Sequence, residues 1–287
     1  MEIVAEFTYN HFGDIVRAKK MIEEAKSSGA TCVKFEMRNA ESYFRNNPEI
    51  SKRKGAFEFT DEQIKEFVLH CEKMKIDWFA SVHDIHSLQR ILPFHPKYIK
   101  VASREARMTD FILKVKTFTA KKHPIIVSTG GLSFKQVQEI YALLKDENLF
   151  LLHTNCIYPC AVEKLNMNRI RLMQESFSCK IGYSGHEEGF LASLYAVTIG
   201  VDYLERHFTL DDNVEVAKGF PNFKDDQCTL SPSQFREMVN AVNLFTKFRN
   251  EKVNAEILEE ELQRVNAYGK IDWDGHDVFL QSPNSPN

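Results

Sequence analysis

Eight short apolar runs, each followed by an amphipathic segment, constrain this chain more than any other feature. The runs are "EIVAEF" (2–7), "TCVKFEM" (31–37), "DWFASV" (77–82), "YIKVAS" (98–103), "PIIVST" (124–129), "LFLLHTN" (149–155), "KIGYSG" (180–185) and "DYLERHFT" (202–209). Rich in Val, Ile and aromatics, they read as buried parallel strands. Between them lie helix patterns with their own punctuation. Ile15, Ala18, Met21, Ile22 and Ala25 share one face of a segment that Gly29 closes. Thr60 and Gln63 have the spacing of a capping box, and Ser231 caps a helix with Pro232 at its first position. Eight such units over residues 2–247 predict a (β/α)8 barrel, which takes about 250 residues. The alternative is a doubly wound open sheet with its ligand at one switch point. That fold is disfavoured because polar residues occur at the C-terminal ends of nearly all eight runs, and only a closed barrel gathers them round one centre. No GxGxxG follows the first run either.

The domain expectation is therefore a barrel over 1–248, with 249–287 as a helical extension and frayed tail. The gap between strand 8 and its helix, about residues 211–230, is long for such a connection. It is expected to act as a lid that contacts substrate. The net charge of −3 gives no reason to expect nucleic acid as a partner, and no apolar run is long enough to span a membrane. The start, "MEIVAEFTYNHFGD", has no secretion-signal pattern, and six cysteines form no CxxC pair, so a cytoplasmic location is expected.

The stretch "YLERHFTL" (203–210) poses the main chemical question. Burying charge in a strand is costly unless it is paired, bonded to metal or used in chemistry. Period-two alternation puts Tyr203, Glu205, His207 and Thr209 on one side, and Leu204, Arg206 and Phe208 on the other. His207 thus opens into the barrel mouth, with His186 just beyond strand 7. Two imidazoles on neighbouring strand ends, with Glu6 and Asp225 available, point to a divalent metal. Lys34 and Lys100 interrupt otherwise apolar runs. With Ser103, Ser128 and Ser184 at strand ends they point to a phosphate-bearing ligand. A metal and a phosphate site in one mouth fit a phosphorylated small substrate and a polarised carbonyl.

Taken in order, "AEFTYNHFGD", "VKFE", "IKVASRE", "IIVSTGG", "LHTNCIYPC", "GYSGHE…ERHFTLD" and "CTLSPSQF" resemble the motifs of the sialic acid synthase family. The resemblance implies condensation of phosphoenolpyruvate (PEP) with an aldose or amino-sugar aldehyde. The products are a nonulosonic, sialic-acid-like 2-keto-3-deoxy acid for surface polysaccharide, and phosphate. It implies His186 and His207 as ligands of a divalent ion, Mn or Mg, and Lys34, Lys100, Ser103, Ser128 and Ser184 as the PEP site. Glu6 and Glu105 fall near the reacting carbons, with Lys100 shared between binding and catalysis. Glu36, Tyr158 and Asp225 fall on the sugar, and a homodimer is the implied assembly. The chain departs from the family pattern at Glu36 (for Gln), Arg104 (for Gly), Gly185 (for Asp) and Cys156, where Asn155 is expected to supply the amide. The residues after Phe248 are too few for the family's C-terminal antifreeze-like domain, so a barrel without that cap is expected. Two other readings stay open: a Schiff-base aldolase using Lys100, and a barrel acting as a binding or regulatory partner.

Overall fold

The computed structural model describes residues 1–211, 228–250, 256–267, 269, 271–273 and 275–280. Asp225 and most of the expected lid lie outside them. The chain divides into two compact units, Met1–Arg249 and Asn250–Asn287.

Eight parallel strands close the first unit into a barrel in simple sequence order, β1 pairing with both β2 and β8. They are β1 (Glu2–Glu6), β2 (Cys32–Met37), β3 (Asp77–Val82), β4 (Ile99–Val101), β5 (Ile125–Ser128), β6 (Leu149–Thr154), β7 (Lys180–Gly185) and β8 (Tyr203–His207). The helices outside are α1 (Ile15–Ser27), α2 (Ala40–Tyr43), α3 (Pro48–Gly55), α4 (Asp61–Met74), α5 (Ile85–Ile91), α6 (Thr109–Thr119), α7 (Phe134–Leu144), α8 (Asn168–Ser176), α9 (Leu191–Thr198) and α10 (Pro232–Asn250). The open-sheet alternative is thereby excluded.

Local chemistry sets the boundaries. Thr60 and Gln63 form the capping box that starts α4, and Ser133 with Gln136 repeats the device at α7. Beyond α1, Gly29 adopts φ +92°, and a Cβ there would lie 2.7 Å from Val239 Cγ1, so glycine is required twice over. The connection from β2 to α4 contains two short helices that the hydrophobic pattern did not separate. Asn47 caps α3 ahead of Pro48, the usual order of cap and first residue.

The core has two parts. Between barrel and helices lies the large apolar layer, including Phe35, Phe67, Met21, Ile22 and Phe235. Each such side chain contributes about 1.5–3 kcal/mol on burial. Inside the barrel, Val4, Phe79, Tyr98, Ile126, Phe150, Leu152 and Tyr203 fill the N-terminal end. Tyr98 meets Phe79 and Phe150 edge to face at 5.3 and 5.4 Å. The plug closes the floor, so polar groups further along the strands face a cavity open only at the C-terminal end.

The second unit contains α11 (Glu259–Ala267) and an antiparallel pair, β9 (Ile271–Trp273) with β10 (Val278–Leu280). The sequence reading expected a helical extension and a frayed tail here and did not separate a hairpin, because two three-residue strands carry too little alternation to register. Among the described residues, no helix is long and apolar enough to cross a membrane.

Candidate active site

A cavity of about 620 Å³ opens at the C-terminal end of the barrel. Its lining brings together Glu6, Lys34, Glu36, Lys100, Ser103, Glu105, Ser128, Tyr158, Ser184, His186 and His207, residues that lie far apart in sequence.

Glu205 is the centre of the floor. Its Oε1 accepts from Lys34 Nζ at 2.9 Å, from Ser184 Oγ at 3.0 Å and from Lys100 Nζ, and its Oε2 accepts from Tyr203 Oη at 2.7 Å. Strand register makes this possible, since Ser184 faces Glu205 across β7–β8 and Lys34 lies beside Glu6 across β1–β2. Lys34 also pairs with Glu6. Burial would raise the Glu205 carboxyl, but Lys100 and Lys34 outweigh it and hold it well below its ordinary value. Glu205 thus fixes two ammonium groups side by side while each keeps protons for a ligand. Thr8, a β-branched residue in the left-handed region at φ 46°, turns its N–H back onto Glu6 Oε1 at 2.6 Å. Such strain persists where surrounding structure enforces it, here at the cavity wall.

Over β7 and β8, the rings of His186 and His207 lie 5.1 Å apart, and Tyr158 stacks on His186 at 4.1 Å. Both imidazoles are held neutral. Burial pushes His186 down to about 4, against the Asn155 carbonyl, and burial followed by His186 itself pushes His207 well below its usual value. His186 Nδ1 meets the backbone oxygen of Asn155, an atom that only accepts, so the proton sits on Nδ1 and the Nε2 lone pair is left for a ligand. His207 Nδ1 lies 3.8 Å from Cys228 Sγ. Two neutral imidazoles, one with its tautomer fixed, fit half of a divalent metal's donor set. Among the described residues no third His, Cys, Asp or Glu completes a group.

On the far wall, burial would raise Glu105, but His83 and then Tyr43 hold it below the usual carboxylate range. His83 Nδ1 is 3.0 Å from Glu105 Oε2, and its Nε2 is 3.1 Å from Arg38 Nη2. A guanidinium only donates, so His83 accepts at Nε2 and carries its proton on the side of Glu105. Glu36 pairs with Arg38. The acid that replaces an amide here is therefore a neutralised one.

Asn155 requires correction. Strand β6 ends one residue earlier, and the Asn155 amide turns into the following loop. It donates to Lys164 O at 3.0 Å and accepts from Ile157 N at 2.9 Å. It lines a smaller adjoining cavity instead, and its link to the site runs through its backbone oxygen.

Three features escaped the sequence reading. Glu205 was singled out as a buried charge but given no partner. His83 and Arg38, which set the state of Glu105 and Glu36, lay at strand ends without a visible role. Arg206 is 0% exposed and points away from the cavity. It pairs with Glu187 and donates to the Glu187 and Cys228 carbonyl oxygens at 2.8 and 3.2 Å. This clamp sits directly behind His186 and His207 in sequence. It also accounts for Gly185, since a Cβ there would lie 2.5 Å from Glu187 Oε2.

The closed barrel thus brings two ammonium groups, held on Glu205, and an imidazole pair to one mouth. Sequence comparison is more specific: the NeuB family model matches residues 21–254. The chain belongs to the NeuB family. It is 33% identical over 259 residues to the N-acetylneuraminate-9-phosphate synthase of Mus musculus, covering 84% of this chain and 69% of that protein. It is 27% identical over 281 residues to the N,N'-diacetyllegionaminic acid synthase of Campylobacter jejuni subsp. jejuni, covering 91% and 83%. Its fold is similar to that of a sialic acid synthetase from Leptospira borgpetersenii solved with citrate, with TM-score 0.80, 24% identity, and coverage of 92% and 90%.

Proposed function

We propose that the chain condenses PEP with an aldose or amino-sugar aldehyde, giving a nonulosonic 2-keto-3-deoxy acid and phosphate. The observation that carries this reading is the pair of ammonium groups fixed on Glu205 beneath two neutral imidazoles. Lys34 and Lys100, with Ser103, Ser128 and Ser184, would hold the phosphate and carboxylate of PEP. His186 and His207 would hold a divalent ion, Mn or Mg, which when bound polarises the acceptor's aldehyde.

The π electrons of PEP form the new bond from C3 to the aldehyde carbon, leaving C2 cationic. The aldehyde oxygen takes up a proton to become the new hydroxyl, and water adds to C2 with loss of a proton. The phosphate then leaves with the electron pair of its C–O bond as the C2 hydroxyl loses its proton to become the keto group. Glu105, held ionised on the cavity wall, is suited to orient that water and take its proton. Addition to a cation needs only a weak base, so a lowered carboxyl suffices. The lysines offset charge on the departing phosphate. Glu36 on β2 and Tyr158 after β6 both line the cavity and are proposed for the sugar, as is Asp225, which lies outside the described residues. The aldolase reading is weaker, because an amine committed to an ion pair with Glu205 is a poor nucleophile.

Lys34 gives the site a pH dependence. Burial pushes its ammonium down more than the ion pair with Glu205 lifts it, and Lys100 pushes the same way. Lys34 must be protonated to bind phosphate, so PEP affinity is full on the acid side. It falls as pH rises through the lowered value, before the ordinary 10.5 of lysine is reached. Equilibrium binding of PEP from pH 6 to pH 10 should show this fall, and Lys34→Arg should remove it. An affinity flat to pH 10 contradicts the assignment.

PEP-dependent phosphate release, measured with Mn or Mg against a panel of aldoses, amino sugars and their 6-phosphates, tests the reaction. Release coupled to keto acid with at least one acceptor is expected. Release with none, at full PEP binding, overturns it in favour of a binding partner.

A further inference from the structure

A second cavity, of about 350 Å³, adjoins the active site, and Gly131, Thr154 and Cys156 line both. The turn after β5 stands between them and is tied on either side. Gly130 N donates to Ser103 Oγ at 3.1 Å on the active-site side, and Leu132 O accepts from Arg169 Nη2 of α8 at 2.7 Å on the other.

Charge in this cavity has one sign. Lys164 and Arg169 line it, and no Asp or Glu does. Burial lowers the Arg169 guanidinium, and no carboxylate lifts it. Its Nη2 is engaged by Leu132 O, whereas its Nε is buried without a hydrogen-bond partner among the described residues. Arginine does not escape such a position by losing its proton, and a charge withdrawn from water is costly unless an opposite charge meets it. An anion is therefore the complement of this wall.

His153 narrows the choice of anion. It also lines the cavity, and it is 4% exposed. Its Nε2 meets Leu165 O at 2.8 Å; a carbonyl only accepts, so the proton sits on Nε2 and Nδ1 carries the lone pair. Burial pushes the imidazole down to about 4, and Arg169 pushes the same way, so the ring stays neutral. Nδ1 is buried and likewise has no partner among the described residues. The cavity thus combines a charged donor with an acceptor that does not turn into a donor. A fully ionised oxyanion suits the first and is repelled by the second. Monohydrogen phosphate suits both, with P–O⁻ toward Arg169 and P–OH toward His153.

We propose that this cavity is a site for inorganic phosphate, bound in its monohydrogen form by Arg169 and His153 and serving the product of the reaction. That the ion arrives as product rests on the proposed condensation; the binding chemistry does not. Only the turn from Gly130 to Leu132 separates Arg169 from Ser103 of the PEP site.

The test is calorimetric titration at pH 8 of the protein saturated with PEP, without added metal, using inorganic phosphate and then sulfate. PEP fills the floor, and at that pH neither PEP nor sulfate carries a proton on its oxyanion. One equivalent of phosphate should bind. Sulfate should bind at least about tenfold more weakly, since an acceptor facing an unprotonated oxyanion forfeits its hydrogen bond. Arg169→Gln should abolish phosphate binding. His153→Gln, which keeps a donor for Leu165 O and removes the Nδ1 acceptor, should bind phosphate and sulfate alike. PEP affinity should match wild type in both variants, which also reports that the barrel is folded. If either fails to fold, the wild-type comparison of phosphate with sulfate decides alone. No phosphate binding to the PEP-loaded wild type, equal binding of sulfate, or phosphate binding that survives in Arg169→Gln overturns the site. Phosphate bound as expected, with no phosphate released from PEP by any acceptor, leaves the site standing and overturns the condensation and the product role with it.

Discussion

Glu205→Ala is expected to destabilise the barrel more than any other single change in the cavity. The substitution removes the common acceptor of Lys34, Lys100, Ser184 and Tyr203. Two ammonium groups are left close together in a buried site, and among the described residues only Lys34 retains a carboxylate, on Glu6. Breaking a buried pair from one side costs about 3–5 kcal/mol. For a chain of this size that corresponds to a fall in Tm of roughly 6–20 °C. Lys34, whose ammonium burial already pushes down, can escape the cost by losing its proton, so the deficit should shrink as the pH is raised. Glu205→Gln keeps the volume and one acceptor, and should lie between wild type and Glu205→Ala. Urea unfolding at pH 7 and pH 9 measures both points. A deficit below about 1 kcal/mol at pH 7, the size of an exposed pair, would mean that Glu205 is not the anchor of the floor.

His207→Ala should have the opposite profile, with a large effect on turnover and a small one on folding. Loss of carbonyl polarisation removes several kcal/mol of charge stabilisation. That is a rate decrease of at least about a hundredfold. Among the described residues the imidazole makes no strong hydrogen bond; its Nδ1 has the thiol of Cys228 at 3.8 Å. Thermal stability without added metal should therefore change little. A dye-displacement titration with Mn should show the affinity lost in the variant. Wild-type turnover in His207→Ala, or turnover that persists in excess chelator, contradicts a metal role for this pair.

The barrel was legible because its strands are buried on both faces and so written as unbroken apolar runs, while its helices carry their own caps. The row Tyr203, Glu205, His207 was legible for a similar reason. Strand parity is strict, and the three side chains descend one inner wall from mouth to plug. What parity cannot give is the partner. Lys34 and Lys100 lie 171 and 105 residues from Glu205, and only closure of the barrel brings them together. Arg206 was harder still. Outward parity placed it among the helices, where a buried guanidinium needs a carboxylate, and Glu187 lies in a loop whose path no periodicity describes. Asn155 failed at a boundary: ending β6 one residue sooner turns its amide from the cavity into the loop. The helices of the β2 connection carry Arg53 and Lys54 to the rim, and are too short to leave an amphipathic signature.

The reaction itself is tested most directly with PEP labelled with ¹⁸O at the bridging position between C2 and phosphorus. Turnover with an accepted aldehyde, followed by mass spectrometry of both products, reports which bond breaks. Addition of water at C2 and loss of phosphate by C–O cleavage predict that the label leaves entirely in inorganic phosphate. Label retained in the keto acid would mean P–O cleavage, and would contradict the condensation mechanism assigned to Lys34, Lys100 and Glu105.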